Sequence, residues 1–369
     1  MTGVKPIYKK TPLNNFPIVA LVITLLIASC TSIDADRLYN EGLNYYNKEY
    51  YLDALRVWKN AAEAGSSDAE NFLGLMHQRG EGIVIDYKKA MAYFQQAATD
   101  GNNAAMNNIG YLYDKGLGVT EDDMTAMKWY KKAGDAGNTE SLFNLGSLYE
   151  QGEGVNIDYA KAMELYRKAA AAGHGKSMNN IGWIYQHGEG VKVNFQEAMK
   201  WYKKASEKGV PGAINNVGFM YENGEGVSID YNQAMDWYQR AAKAGNGQGM
   251  NNVGWLYHKG TGVKHDDVKA LEWYHKSANV GCADGMVNIG WSYQNGEGVA
   301  LNYKTALEWY EKAAQQGNGN AMNNIGWLYA YGKGVAANDS LATEWYNKAI
   351  KAGSPDAKDN LADLQEENE

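Results

Sequence analysis

Small and apolar residues recur along this chain at an interval of 36 residues. Each segment carries apolar positions at helical spacing twice, as when Met106, Ile109 and Tyr113 are followed by Ala126 and Tyr130. A glycine that follows Leu, Ile or Val recurs without a slip at Gly74, Gly110, Gly146, Gly182, Gly218, Gly254, Gly290 and Gly326. The pattern predicts a tandem array in which each segment forms two short amphipathic helices.

The residues between the two helices of a segment are typical of a helix end followed by a new helix start. Gly116-Leu117-Gly118 stops the first helix and turns the chain, and Asp122 or Asp123 caps the second. Gly110 lies inside a predicted helix, where glycine costs about 1 kcal/mol relative to alanine. We therefore expect that a side chain there would block the partner helix, and that Tyr130 and the tryptophan before it fill the space between pairs.

These motifs together resemble a known repeat family. The run Asn-Leu/Ile-Gly-x-x-Tyr, then Gly-Glu-Gly-Val, then Asp-Tyr-x-x-Ala-Met-x-Trp-Tyr-x-x-Ala-Ala and Gly-Asn is similar to the Sel1-like repeat, a relation of the tetratricopeptide repeat. The resemblance implies an all-α, right-handed superhelical solenoid of tandem helix-turn-helix repeats. Nine helix pairs are expected over residues 36–353, the first one shorter, followed by a capping helix and acidic tail over residues 354–369.

The first 29 residues predict a signal peptide. Three lysines precede an apolar run from Ile18 to Ile27, which is too short to span a membrane. The following Ile-Ala-Ser-Cys30 resembles the lipobox of bacterial lipoproteins, which implies cleavage before Cys30, lipidation (palmitate) of that residue and a short tether over residues 30–35. An uncleaved signal anchor, or a secretory peptide with an incidental cysteine, remains an alternative.

The residue after Cys30 bears on the membrane that would hold the protein. It is Thr31 rather than the Asp that retains proteobacterial lipoproteins in the inner membrane, so the resemblance favours a lipid anchor in the outer membrane, facing the periplasm.

Charge and cysteine content narrow the possible functions. The formal charge of −8 becomes −11 once a leader with three lysines and no acid is removed. Such an acidic body argues against nucleic acid as a partner. Cys282 is the other cysteine of the chain and is interpreted as a loop thiol, so no internal disulfide is expected and stability must come from repeat stacking.

One face of the first helix in each segment is the candidate binding surface. On a helical wheel, Asn107 and Tyr111 lie opposite the apolar face, and the pattern recurs. In related repeats this helix lines a concave groove, where tryptophan and asparagine suit a peptide or a loop of a protein partner. The predicted groove residues are Asn107, Tyr111, Asn179, Trp183, Asn215, Phe219, Asn251, Trp255, Trp291, Asn323 and Trp327.

Two other recurrent series are interpreted as structural. The asparagine that follows the groove asparagine (Asn108, Asn144, Asn180, Asn216, Asn252, Asn288 and Asn324) is expected to tie one unit to the next by hydrogen bonds. The second-helix tryptophans are assigned to packing between units, because an aromatic residue at helical spacing is more often core than site. They are Trp129, Trp201, Trp237, Trp273, Trp309 and Trp345.

No combination of residues in the sequence predicts catalysis. The six histidines show neither His-x-x-x-His nor a Cys–His pair at metal spacing, so no metal site and no cofactor are expected. The glutamates that recur in the turns indicate turn chemistry rather than an acid–base pair. Members of the family described as β-lactamase-like are cysteine-rich, whereas this chain lacks those cysteines and any Ser-x-x-Lys signature.

The leading functional hypothesis is a monomeric, non-catalytic scaffold or adaptor of the bacterial cell envelope that binds a protein or peptide in the groove. A periplasmic immunity lipoprotein that inhibits a delivered phospholipase-type toxin is the alternative, because both would use a large preformed face. A β-lactamase-like or cell-wall hydrolase is the third and least favoured hypothesis.

Overall fold

The computed structural model describes residues 34–366, so the leader and Cys30 lie outside the described residues. Within them the chain forms nineteen helices and no strand, which confirms the predicted all-α class. The helices are α1 (34–46), α2 (Tyr51–Glu63), α3 (Ser67–Arg79), α4 (Tyr87–Thr99), α5 (Asn103–Asp114), α6 (Asp123–Asp135), α7 (Thr139–Gln151), α8 (Tyr159–Ala171), α9 (Gly175–His187), α10 (Phe195–Glu207), α11 (Pro211–Asn223), α12 (Tyr231–Lys243), α13 (Gly247–Lys259), α14 (Asp267–Asn279), α15 (Ala283–Asn295), α16 (Tyr303–Gln315), α17 (Gly319–Ala330), α18 (Asp339–Lys351) and α19 (Ala357–Glu366).

The chain divides into two compact units, with the boundary between Leu165 and Tyr166 inside α8. In the first unit each helix from α2 to α6 packs against the helix that follows it along the chain. In the second unit the same holds from α9 to α19. No helix within residues 34–366 is both long enough and apolar enough to cross a bilayer.

Side chains at the helix starts explain where the helices begin. The carboxylate of Asp122 accepts a hydrogen bond from the backbone N–H of Thr125 at 2.9 Å, which resolves the choice between Asp122 and Asp123. First helices begin in the same way, as when Asn138 accepts from the N–H of Ser141 at 2.8 Å. These bonds satisfy N–H groups that have no partner within the helix.

The turn between paired helices also forms a contact between repeats. Gly116 and Gly118 have φ angles of +61° and +72°, in the left-handed region that glycine adopts without strain. A Cβ atom on Gly118 would lie 2.5 Å from Cβ of Tyr87, at the start of the preceding repeat's second helix. The second glycine of the turn is therefore required for close approach of neighbouring repeats as well as for its conformation.

The glycine inside each first helix makes room for one aromatic ring. A Cβ atom on Gly110 would lie 2.7 Å from the ring of Tyr130, which is fully buried. The predicted blocking role of this glycine is confirmed. The ring packs over the glycine of its own pair and also lies in an apolar cluster with Leu145 and Leu148 of the next pair, so the expectation that Tyr130 fills the space between pairs is confirmed.

The last helix covers the end of the second unit. Leu364 of α19 packs with Ala342 and Tyr346 of α18 in a small apolar cluster. Asn360 of the same helix donates a hydrogen bond to Oδ1 of Asn323 at 2.9 Å. The helix thus covers apolar surface that a further repeat would otherwise bury.

Candidate partner-binding face

The predicted outer aromatic residues differ in how much ring they present to solvent. Tyr111, Phe219 and Trp255 are exposed by about two fifths, at 39%, 41% and 38%. Trp183, Trp291 and Trp327 are half-buried. Because a partner can cover only the part of a ring that is exposed, these three are the better candidates for partner contact.

Two of these exposed rings stand on either side of one pocket in the second unit. The pocket has a volume of about 420 Å³ and lies between α11 and α13, the first helices of adjacent repeats. Its lining consists of Asn215, Phe219, Glu222, Asn223, Gln248, Asn251, Asn252 and Trp255. The structure thus brings four predicted site residues together, two aromatic and two amide, around a space large enough for a partner's side chain.

Three polar residues at this pocket were not predicted from the sequence: Glu222, Asn223 and Gln248. Asn223 lies four residues after Phe219 on α11, so it shares the exposed face of that ring, and its amide donates to the Phe219 carbonyl at 2.9 Å. Its position could have been read from the helical wheel. Gln248 comes from the first turn of the next first helix, and its place at the pocket depends on how two repeats stack.

The asparagines form a ladder that joins successive repeats. In each rung the amide of one asparagine donates to Oδ1 of the asparagine 37 residues earlier, at 2.7–3.1 Å. The rungs are Asn108 to Asn71, Asn144 to Asn107, Asn216 to Asn179, Asn252 to Asn215, Asn288 to Asn251, and Asn360 to Asn323. The predicted role of the second asparagine series, in hydrogen bonds between units, is confirmed at these rungs.

The first asparagine series is the acceptor side of the same ladder. Asn215, Asn251 and Asn323 are buried, at 9%, 6% and 8% exposure, and Asn107 and Asn179 are half-buried. Because their oxygens already accept from the following helix in the array, these amides do not offer both of their hydrogen-bonding edges to a partner. Asn215 and Asn251 form the floor of the pocket, while the aromatic rings form its exposed walls.

The repeat sequence itself decides the family. The Sel1 repeat profile matches eight consecutive segments: residues 67–102, 103–138, 139–174, 175–210, 211–246, 247–282, 283–318 and 319–354. The chain belongs to the Sel1-repeat family. Sel1-repeat solenoids generally serve as non-catalytic scaffolds that bind protein partners.

Solved structures show the same fold. A Sel1 repeat protein from Oxalobacter formigenes is 34% identical, with a TM-score of 0.61, over 68% of this chain and 100% of that chain. The c5321 protective antigen of uropathogenic Escherichia coli strains, which displays an SLR fold, is 28% identical with a TM-score of 0.55, over 90% of this chain and 80% of that chain. No curated protein matches the chain.

The second-helix tryptophans of this Sel1-repeat protein are half-buried, and four of them pack against the apolar core clusters, in keeping with a packing role: Trp129, Trp273, Trp309 and Trp345. Each also has a cation three residues later that lies 3.8–5.0 Å from its ring centroid, a pattern the sequence analysis missed. The pairs are Trp129 with Lys132, Trp201 with Lys204, Trp237 with Arg240, Trp273 with Lys276, Trp309 with Lys312, and Trp345 with Lys348. Such cation–π contacts cover one face of each ring. Trp255 of the first-helix series has a similar contact, with Nζ of Lys259 4.5 Å from its ring centroid.

A buried tyrosine lies beneath the pocket wall. The hydroxyl of Tyr238 donates to Oε2 of Glu222, one of the pocket residues. Burial, together with the negative charge of Glu222, holds the pKa of Tyr238 far above its usual value of 10.0. The phenol therefore stays protonated and positions the Glu222 carboxylate at the pocket.

One cluster of potential metal ligands also escaped the sequence analysis. His258, Asp267 and Glu297 each place a ligand atom within 4.8 Å of those of the other two. The expectation of no metal site considered only short spacings along the chain, whereas these residues come from two repeats. The local signal was weak, because the repeat register has to be applied before Glu297 falls beside His258.

Proposed function

We propose that this Sel1-repeat protein is a lipid-anchored, monomeric, non-catalytic adaptor of the bacterial envelope, and that it binds a protein partner at the pocket between Phe219 and Trp255. The pocket carries the proposal, because it combines two exposed rings with hydrogen-bonding groups and a carboxylate. Aromatic anchors surrounded by polar groups are the usual composition of protein-binding hot spots.

The chemistry of the pocket indicates what it binds. Apolar walls accept an aliphatic or aromatic side chain, and the amides of Asn223 and Gln248 can bond to the backbone around it. The Glu222 carboxylate favours a neighbouring positive charge. A partner loop with an apolar residue next to Lys or Arg fits this pocket.

Substitutions drawn from the repeat itself test the site. Ser147 occupies the outer aromatic position in another repeat, so Phe219→Ser and Trp255→Ser are expected to fold. A photo-crosslinking residue placed at position 219 in the native host is expected to capture one partner, and the same residue at the exposed turn position of Ile229 is not. Removing one anchoring ring is expected to cost about 2 kcal/mol of binding, or about 30-fold in affinity.

Either of two results would contradict the site. One is that the captured protein crosslinks equally well from position 229. The other is that it binds the Phe219→Ser, Trp255→Ser double variant as tightly as the unchanged protein. The identity of the partner then separates the functional alternatives. An envelope assembly component indicates an adaptor, and a phospholipase-type toxin indicates an immunity protein.

The lipid anchor has its own test. The chain contains Cys30 and Cys282 as its cysteines, so metabolic labelling with an alkyne analogue of palmitate is expected to label the protein, to be lost in Cys30→Ser and to persist in Cys282→Ser. Fractionation of the labelled protein is expected to place it in the outer membrane. Labelling that survives Cys30→Ser would refute the anchor.

A further inference from the structure

A histidine and two carboxylates meet where two repeats of the second unit join. His258 lies near the end of α13, Asp267 begins α14 of the same repeat, and Glu297 lies in the turn that follows α15 of the next repeat. Nδ1 of His258 lies 2.8 Å from Oδ1 of Asp267 and 3.1 Å from Oε2 of Glu297. These three atoms, which could each bind a metal ion, therefore come together from three separate segments of the chain.

The spacing of these atoms matches that of metal ligands. Ligands of a tetrahedral Zn²⁺, each about 2.0–2.1 Å from the metal, lie roughly 3.3 Å from one another. The side chains of His258, Asp267 and Glu297 are only 14%, 22% and 32% exposed. Oε2 of Glu297 is buried and makes no hydrogen bond within the described residues. Small rotations of the side chains are enough to admit a cation.

Comparison with the other repeats shows that this junction departs from the common pattern. Gln186 occupies the position equivalent to His258 two repeats earlier in this unit, and its amide donates to Glu225, the equivalent of Glu297, at 2.7 Å. His258 replaces that glutamine, and Asp267 replaces the aromatic residue found there in most repeats. Two side chains that can bind a metal thus stand where the earlier junction has the hydrogen-bonded Gln186 and an aromatic residue, Phe195, beside a glutamate that recurs in the turn.

The surroundings hold the candidate ligands in place. Nε2 of His265 lies 3.0 Å from Oδ2 of Asp267, the carboxylate oxygen that faces away from His258. Carboxylates that bind metals are commonly oriented by a second partner in this way. The rings of Trp255 and Trp291 lie 5.6 Å and 5.0 Å from the His258 ring and limit its movement.

We propose that His258, Asp267 and Glu297 bind a divalent transition metal, Zn²⁺ above all, which joins the repeat of residues 247–282 to the turn of the next repeat. An imidazole nitrogen with two carboxylates suits Zn²⁺, whereas Mg²⁺ and Ca²⁺ prefer sites made of oxygen alone. The bound metal bridges two repeats and fixes the positions of Trp255 and Trp291. The metal proposal does not rest on the proposed partner pocket or on the lipid anchor, although the ring of Trp255 lies beside both His258 and the pocket.

The test uses the full-length protein in detergent, with Zn²⁺ alone as the calorimetric probe and Co²⁺ as the spectroscopic one. We expect one Zn²⁺ per chain and the visible absorption of Co²⁺ in a four-coordinate site. His258→Gln, which installs the residue of the equivalent position in the repeat that contains Gln186, is expected to weaken Zn²⁺ binding by about 100-fold or more. Asp267→Tyr, the residue at the equivalent positions 231 and 303, is expected to do the same.

A matched control separates this site from other histidines. His187 is exposed and lies outside the cluster, and Gln151 is its equivalent in another repeat, so His187→Gln is expected to leave Zn²⁺ affinity unchanged. Circular dichroism establishes whether each variant is folded. If Asp267→Tyr does not fold, the Zn²⁺ affinity of His258→Gln alone tests the site. Failure of the unchanged protein to bind Zn²⁺, or equal binding by His258→Gln, overturns the proposal.

Discussion

Replacing Gly218 with alanine sets helix propensity against packing. Alanine in α11 gains about 1 kcal/mol over glycine from backbone entropy alone. A Cβ atom at this position would, however, lie 2.7 Å from Cδ1 and 2.8 Å from Cε1 of Tyr238, and 3.3 Å from the carbonyl oxygen of Ala234. Overpacking of this kind in a buried site costs about 1–3 kcal/mol.

The Tyr238 ring has little room to move away. Its side chain is fully buried, and its hydroxyl is held by Glu222. A shift of the ring that breaks this hydrogen bond to a charged group costs about 1.5–3 kcal/mol more. Gly218→Ala is therefore expected to destabilise the protein by up to about 2 kcal/mol if the hydrogen bond survives and by about 1.5–5 kcal/mol if it breaks, even though the same change stabilises an isolated helix.

Gly212 provides a control within the same helix. No atom lies within 4 Å of a Cβ built there, so Gly212→Ala is expected to be neutral or to stabilise by up to about 1 kcal/mol. Guanidinium unfolding followed by circular dichroism compares the midpoints of both variants with that of the unchanged protein. If Gly218→Ala unfolds at the same denaturant concentration as Gly212→Ala, or at a higher one, the packing argument is refuted.

Three further predictions concern caps and titration. Cys282 precedes α15 and makes no capping hydrogen bond, whereas Asn138 and Asn246 cap the equivalent helices α7 and α13. Cys282→Asn is therefore expected to raise the free energy of unfolding by about 1 kcal/mol, which would be measured as a higher Tm. Burial and nearby Asp100 raise the pKa of Glu70 from 4.5 to about 7, so its stabilising contribution is present below pH 4.5 and lost as pH rises through 7. Glu70→Gln is thus expected to add roughly 1–3 kcal/mol at pH 8 and little at pH 4, and equal gains at both pH values would contradict this. Burial also raises the pKa of tyrosines within residues 34–366, most strongly for five whose rings are almost fully buried, so their stabilising contribution holds below pH 10.0 and falls above it. Tyrosinate absorbance should then rise together with loss of helix, and ionisation of these five tyrosines in the folded state would contradict the prediction. They are Tyr130, Tyr202, Tyr238, Tyr274 and Tyr310.

The register of the fold follows from the sequence because its signals are local and repeated. The helix-stopping glycines, the Asp122 cap and the glycine that admits an aromatic ring can each be located from spacing alone. The pairing of Gly110 with Tyr130 inside one repeat was not predicted. A helical wheel shows the direction of a side chain, but the partner it reaches depends on the angle and distance between helices.

The candidate site was only partly predictable for the same reason. The wheel correctly puts Phe219 and Trp255 on an exposed face, but it puts Asn251 there as well. In the folded chain the next repeat covers that amide, and Asn288 of that repeat donates a hydrogen bond to the amide oxygen of Asn251. The cluster around His258 has the same origin, because it forms only when residues from neighbouring repeats are stacked in register.

The asparagine ladder has a direction, since every rung donates from the later repeat to the earlier one. Removing residues 247–282 would place Asn288 beside Asn215, and the same two atoms would bond again. Where the acceptor asparagine is present, a gene encoding this chain can therefore gain or lose a whole repeat through unequal recombination and form the same rung at the new joint; Phe143 and Val287 occupy the acceptor position in two repeats and cannot form it. A change of helix length by even one residue shifts the register and has no such protection. The ladder favours change in steps of one repeat, and so permits the length of the protein to evolve while its internal geometry stays fixed.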